Sequence, residues 1–191
     1  MRYHQRPRLL HLIVTLWLST MICTPSLAGD IALLSIGPRI GFSGGSPVLG
    51  IRQTESFRMA DIAAVFTLPW SWPLGGSAWS LETRLIASAG LLEAAGDSSL
   101  MMAVLPDLAL SGWKGLVTFD IGVGAGFFSD YKFGVQDFGG PVQLAATMGV
   151  RVNPFSHAYT GFRFQHFSDA TIYGSDSLGI DLYIVELGYR F

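Results

Sequence analysis

The stretch "GLVTFDIGVGAGFF" at residues 115–128 predicts the fold more clearly than any other part of the chain. Large or apolar side chains at odd positions alternate with glycines, Thr118 and Asp120 at even positions. A period of two with one apolar face is typical of a β-strand. Residues 138–152 repeat the alternation with their apolar side chains at even positions. The chain therefore contains at least two long, one-sided strands.

Turn residues divide the remaining sequence into further segments of this kind, which predicts eight strands. Their expected bounds are 31–43, 56–68, 78–90, 99–110, 115–128, 138–152, 157–169 and 178–191. At about 11–14 residues they exceed the usual soluble strand of about 5–6 residues and suffice to cross a membrane, which takes about 9–11. The alternate positions that are not apolar carry small or charged residues, which suit a narrow barrel interior. The predicted fold class is all-β, an eight-stranded antiparallel transmembrane β-barrel.

The connections between these strands are expected to differ in length at the two ends of the barrel. Tight turns are predicted at 112–114 and 153–156, and longer polar loops at 44–55, 91–98, 129–137 and 170–177. Short turns face the periplasm and long loops face outward in bacterial barrels. The first periplasmic link, 69–77, is longer than this rule predicts. Four tryptophans lie near the inferred periplasmic ends, which indicates either an aromatic girdle or ordinary loop packing: Trp70, Trp72, Trp79 and Trp113.

The N-terminus predicts export. Three arginines precede an apolar run at 9–22, and "SLA" at 26–28 supplies small residues for cleavage, so residues 1–28 are expected to be a signal peptide. Residues 29–191 then form the barrel and contain no cysteine, because Cys23 is the only one in the chain. Disulfides and thiol chemistry are thereby excluded from the mature chain. A net charge of −2 gives no reason to expect nucleic acid.

Polar residues on the lipid-facing parity of the last two strands form the candidate site. His166 and Ser168 share that parity in strand 157–169, and Asp181 has it in strand 178–191. His166 and Asp181 each lie about ten residues above the periplasmic end of their strands, about 23 Å up, near the outer-leaflet boundary. A histidine beside a serine can activate the hydroxyl, and a carboxylate can orient the imidazole. A site facing lipid at this height predicts ester hydrolysis of a lipid.

The C-terminal hairpin also resembles a known family. "HFSDATI" at 166–172 and "LGIDLYIVELGYRF" at 178–191 are similar to the C-terminal hairpin of PagL-type lipid A 3-O-deacylases. The resemblance implies an eight-stranded barrel in the outer membrane of a Gram-negative bacterium, with a Ser–His–Glu triad and no metal or other cofactor. Its substrate would be the ester at position 3 of lipid A in the outer leaflet. His166 would be the base and Ser168 the nucleophile, while Asp181 would replace the family's Glu.

Two departures from the family pattern bear on the site. The family's Asn after the serine, associated with the oxyanion site, is Asp169 here, and a charged carboxylate cannot donate a hydrogen bond to an oxyanion. We therefore expect backbone N–H groups near Ala170 and Thr171 to serve instead. The acidic residue, Asp181, is one methylene shorter than the family's Glu and lies one residue further along the chain. Asp176 is a weaker candidate for the same role.

Two other functions remain open from the sequence alone. The chain could be a non-catalytic barrel for surface binding or adhesion, acting through loops such as "SDYKFGVQD" at 129–137. A channel is disfavoured because side chains fill the interior of an eight-stranded barrel. The sequence leaves open the preferred acyl chain and whether a homodimer forms.

Overall fold

The computed structural model describes residues 26–27, 30–44, 53–75, 78–174 and 178–191. The predicted signal peptide at 1–28 lies outside these ranges apart from two residues. The backbone of Ser26 and Leu27 pairs with that of Ser71 and Trp70.

Eight long strands form one sheet. They are β1 (Ala32–Ser43), β2 (Arg58–Pro73), β3 (Trp79–Ala94), β4 (Asp97–Gly112), β5 (Val117–Phe128), β6 (Val142–Phe155), β7 (Ala158–Ser168) and β8 (Ile180–Arg190). Each strand pairs antiparallel with its neighbour in sequence, and β8 pairs with β1, so the sheet closes. The predicted eight-stranded antiparallel barrel is confirmed. No helix in the described residues is long and apolar enough to span a membrane.

Several predicted boundaries are wrong. The tight turn expected at 153–156 lies at 156–157, because β6 continues to Phe155. The expected outer loop at 91–98 is a turn of two residues, Ala95 and Gly96, both with positive φ, because β3 and β4 continue beyond their apolar part. The link at 69–77 is shorter than expected, since β2 runs on to Pro73 after an irregularity in the ladder around Pro69. The strand predicted at 138–152 begins only at Val142. Phe138 precedes the strand and belongs to the buried hydrophobic cluster.

The two faces of the strands carry different chemistry, as their alternation predicts. In β5 the apolar odd-numbered residues lie on the outside, whereas Thr118 and Asp120 are buried inside. Ion pairs join buried side chains on the lumen face of neighbouring or next-but-one strands: Arg39 with Asp61 at 2.5 Å, Arg163 with Asp120 at 2.6 Å, and Arg151 with Glu186 at 3.5 Å. In these three pairs a buried charge has a partner of opposite sign, which offsets the cost of its burial.

An aromatic cluster fills the outer end of the lumen. It consists of Phe57, Phe128, Phe133, Phe138 and Phe167, all fully buried. Phe128 and Phe167 pack edge to face with ring centroids 5.1 Å apart. Because Phe167 points inward from β7, this packing holds the end of the strand from which the neighbouring residues 166 and 168 point outward.

Candidate active site

His166 and Asp181 face each other directly across the β7–β8 ladder. The distance between His166 Nδ1 and Asp181 Oδ1 is 2.5 Å, with only 12% of the histidine side chain and 1% of the aspartate side chain exposed. A carboxylate can only accept a hydrogen bond, so this contact favours the imidazole tautomer that carries its proton on Nδ1. The Nε2 atom is then left to accept a proton.

Ser168 lies two residues beyond His166 on the same outward parity of β7 and is half-buried. No hydrogen bond joins its hydroxyl to His166 within the part of the chain that the structure describes. Both side chains border Gly179: a Cβ built on that glycine would lie 3.2 Å from His166 Cε1 and 3.4 Å from Ser168 Cβ. Because Gly179 has no side chain, space is left beside both the imidazole and the serine.

A strained turn follows Ser168. Ala170 and Thr171 have φ values of 50° and 67°, in the left-handed region that residues with a Cβ rarely adopt. The Asp169 side chain holds this turn, since Oδ1 accepts the N–H of Thr171 at 2.9 Å and Oδ2 accepts the N–H of Tyr173 at 3.0 Å. Backbone strain of this kind persists only where the surroundings impose it. The same conformation occurs in other turns, at Ala95, Trp113 and Lys114.

These contacts bear on the three residues expected near an oxyanion. Asp169 is buried and its carboxylate accepts backbone hydrogen bonds. The Thr171 N–H is already donated to that carboxylate, which corrects the expectation that this group is available for an oxyanion. Among the described contacts, the Ala170 N–H has no acceptor. Asp176, the weaker candidate for the acidic residue, lies outside the described residues.

Two outer loops contact the acidic end of the site, and sequence reasoning missed them. The Asp181 N–H donates to Gln53 Oε1 at 3.2 Å, and Gln136 Nε2 donates to the carbonyl oxygen of Gly179 at 3.0 Å. Gln53 precedes β2 and Gln136 lies between β5 and β6, so these contacts join positions far apart in the chain. No local pattern in the sequence marks either glutamine.

The lipid-facing wall below the site is aromatic. Tyr183 lies between Phe42, Phe162 and Phe164, at centroid distances of 6.1, 6.4 and 5.6 Å. A groove of about 560 Å³ begins at the two phenylalanines of β7 and continues across the neighbouring strands. Its further lining is mainly apolar and includes Leu81, Leu108, Leu110, Phe119, Ile121, Met148 and Val150. Asp120 also borders the groove, but its carboxylate pairs with Arg163 on the lumen side. The surface beside the site is thus suited to hydrocarbon.

Charged side chains near the outer end belong mainly to the loops. Lys132 and Asp137 form an exposed ion pair at 3.0 Å in the short hairpin Lys132–Phe133 and Gln136–Asp137. The hydrogen bond from Asp137 raises the pKa of Lys132 above its ordinary value. Within the described residues, no group of three or more His, Cys, Asp or Glu side chains is arranged to hold a metal ion.

The closed barrel and the outward-facing His–Asp pair define a class of protein: a small outer-membrane β-barrel with a candidate hydrolytic site on its lipid-facing wall. The model of the family PagL, lipid A 3-O-deacylase, matches residues 59–190, and the chain belongs to that family. It is therefore an esterase-type enzyme of the outer membrane, as the C-terminal resemblance predicts.

A solved structure has a similar fold. The crystal structure of the outer membrane enzyme PagL superposes with a TM-score of 0.67 at 18% sequence identity, covering 82% of this chain and 99% of that one. At this identity the likeness supports the fold alone. A sequence comparison with curated proteins finds no match.

Proposed function

We propose that this enzyme hydrolyses the ester-linked acyl chain at position 3 of lipid A in the outer leaflet, with Ser168, His166 and Asp181 as its triad. The observation that carries the proposal is the 2.5 Å contact between His166 Nδ1 and Asp181 Oδ1 on the outer wall, two residues from Ser168. Asp181 orients the imidazole, and His166 Nε2 acts as the general base towards Ser168 Oγ.

The reaction follows a two-step ester hydrolysis. Ser168 Oγ attacks the ester carbonyl carbon while His166 Nε2 takes the hydroxyl proton, and the C–O bond to the sugar then breaks. The proton passes from His166 to the sugar oxygen, which leaves as the 3-hydroxyl group. Water, deprotonated by His166, attacks the carbonyl carbon of the acyl-serine. The bond from that carbon to Ser168 Oγ then breaks, His166 returns the proton to Oγ, and the fatty acid is released. Asp181 stabilises the imidazolium in both steps without being protonated.

The oxyanion requires a donor near Ser168. The Ala170 N–H is the proposed donor, because its left-handed backbone follows directly after the serine strand and backbone N–H groups stabilise such intermediates well. By binding two other N–H groups of the turn, Asp169 acts as a structural cap that maintains this conformation.

The acyl chain is proposed to lie along the apolar groove that begins at Phe162 and Phe164, below His166. Burying a methylene group contributes about 0.8 kcal/mol, so a groove that follows the acyl chain favours binding. The extent of the groove would then set the preferred acyl-chain length. The sugar would lie higher, near the turn at residues 169–173, where polar groups meet the membrane boundary.

Mass spectrometry of lipid A from outer membranes tests the proposal. Membranes carrying the wild-type chain should lose one acyl chain per lipid A, and those carrying Ser168→Ala should not. Thr160→Ala is a matched control, because Thr160 is an exposed hydroxyl on the same face of β7, further from the outer end. Unchanged lipid A with a folded, inserted wild-type barrel would contradict the proposal and favour a binding role for the outer loops.

A further inference from the structure

The Gln136 side chain connects two outer segments and is completely buried. Its Oε1 atom accepts hydrogen bonds from Thr54 N at 2.7 Å and Thr54 Oγ1 at 2.8 Å, while its Nε2 atom donates to Gly179 O at 3.0 Å. Both ends of the amide are therefore used, and their geometry fixes which way the side chain points.

Gln53 makes a parallel connection from the loop after β1. Its Oε1 atom accepts the Asp181 N–H at 3.2 Å, and its Nε2 atom donates to the carbonyl oxygens of Gly44 and Glu55 at 3.1 and 3.2 Å. Gln53 and Gln136 thus contact the backbone on either side of Ile180.

Further hydrogen bonds join the same three segments. Leu178 N donates to Asp137 O at 2.9 Å, and Val135 N donates to Glu55 Oε1 at 3.4 Å. We call residues 53–55, 134–137 and 178–181 the loop junction. It holds the backbone from which the Asp181 carboxylate reaches His166.

We propose that Gln53 and Gln136 are positioning residues, which hold residues 179–181 so that Asp181 stays aligned with His166. This inference rests on the proposed function of that pair. Neither glutamine contacts the imidazole or Ser168 through a described hydrogen bond, so each acts through the backbone of β8. A misplacement of about 1 Å at a catalytic group can lower the rate about 100-fold.

Gln143 offers a matched control in the same part of the barrel. It is buried like Gln136, and its Nε2 atom donates to Phe138 O and Gly140 O of the same outer connection, at 2.9 and 2.8 Å. It makes no described hydrogen bond to the loop junction. We expect removal of its amide to disturb the loop between β5 and β6 and to leave the contacts of Gly179 and Asp181 in place.

The test compares Gln136→Leu, Gln53→Leu and Gln143→Leu in the full chain, each checked for folding by its heat-dependent migration on a gel. With purified lipid A in detergent, we expect the first two variants to lower kcat about 100-fold with KM changed less than about threefold. Gln143→Leu should keep both parameters within about threefold of wild type. Gln136→Glu keeps an acceptor for Thr54 and removes the donor to Gly179, so it should also lower kcat.

A spectroscopic measurement separates this inference from the proposed function. In protein with ¹⁵N-labelled histidine, a proton held between His166 Nδ1 and Asp181 should resonate far downfield, and Asp181→Asn identifies the signal by removing it. Gln136→Leu and Gln53→Leu should remove or broaden this resonance, and Gln143→Leu should keep it, whether or not the protein deacylates lipid A. An unchanged resonance and kcat in either loop variant, or an equal loss in Gln143→Leu, would overturn the positioning role.

Discussion

Asp181 Oδ1 lies 2.5 Å from His166 Nδ1, and the two residues occupy opposed positions in the β7–β8 ladder. The register of the ladder brings the two side chains onto one face, because a cross-strand pair on one face of a sheet has its Cβ atoms about 5 Å apart. The shorter aspartate therefore reaches the imidazole from a position where the register already places it.

Replacing Asp181 by Asn tests the orienting role. The amide keeps the shape of the carboxylate but can present its NH₂ group to Nδ1, which favours the wrong imidazole tautomer, so we expect kcat to fall by about 10⁴-fold. Asp130→Asn is the control, because this exposed carboxylate bonds only to the loop N–H of Lys132 among the described contacts. Steady-state deacylation measures both, and an Asp181→Asn variant with wild-type kcat would exclude the orienting role.

Asp169→Asn separates a structural cap from an oxyanion donor. The carboxylate accepts two N–H groups of the turn, whereas an amide has one oxygen to accept them, so one donor would lose its partner. We expect a loss of stability of about 1–3 kcal/mol and lower activity. Denaturant unfolding and kcat are measured together; a more active variant of unchanged stability would favour direct participation of residue 169 in oxyanion binding.

Gly179→Ala should damage the site while the barrel remains folded. The new Cβ would lie 2.6 Å from Phe167 O and 3.2 Å from His166 Cε1, so the imidazole or the strand must shift, and we expect kcat to fall about 100-fold. Gly41→Ala is the matched control, because its Cβ would meet side-chain atoms of Ile184 and Met59 at 3.1–3.3 Å. Equal kcat values for the two variants would show that the space at Gly179 is not needed.

The acyl-chain groove predicts a change in chain-length preference. Met148→Trp places a larger ring in the groove and should shift hydrolysis towards shorter acyl chains, raising KM for long ones. Met102→Trp is the control, because Met102 is exposed on the lipid-facing side of β4 and does not line the groove. The assay is competition between lipid A species of different acyl-chain length, followed by mass spectrometry. An unaltered preference in Met148→Trp would show that the acyl chain binds elsewhere.

The buried ion pairs predict a stability effect that is separate from catalysis. Arg163→Met leaves Asp120 buried without its arginine partner, which should cost about 3–5 kcal/mol of unfolding free energy. The double variant Arg163→Met and Asp120→Asn should recover part of this loss, because the uncompensated charge is gone. Unfolding in denaturant measures both, and Lys132→Met, which breaks an exposed pair, should leave the midpoint unchanged.

The alternation of side chains was sufficient to predict the eight strands, the barrel and the outward parity of His166 and Ser168. It was insufficient at the outer end of β3 and β4, where Glu93 and Ser98 lie in strands that extend beyond the apolar band. The turn at Ala95 and Gly96 lacks the Asn-Gly or Asp-Gly pair that marks such hairpins. Because these strand ends are polar and the turn has no typical turn sequence, the sequence pattern predicts a loop here.

The contacts of Gln53 and Gln136 could not be predicted for a different reason. Gln53 is 128 residues from Asp181, and Gln136 is 82 residues from Thr54. Such contacts depend on how loops fold over the end of the barrel, and neither periodicity nor spacing encodes that. The capping role of Asp169 was also hidden, because the sequence does not show which backbone groups its carboxylate will bind.

On the proposed positioning role of Gln53, the pairing of β8 with β1 would also set the stage at which this enzyme becomes active. Gln53 follows β1 and Asp181 belongs to β8, so their hydrogen bond forms only after the first and last strands have met. A chain still in transit through the periplasm, with its ends apart, would have an incomplete loop junction. Insertion into the bilayer would then act as the maturation step, and lipids encountered earlier on the route would be spared.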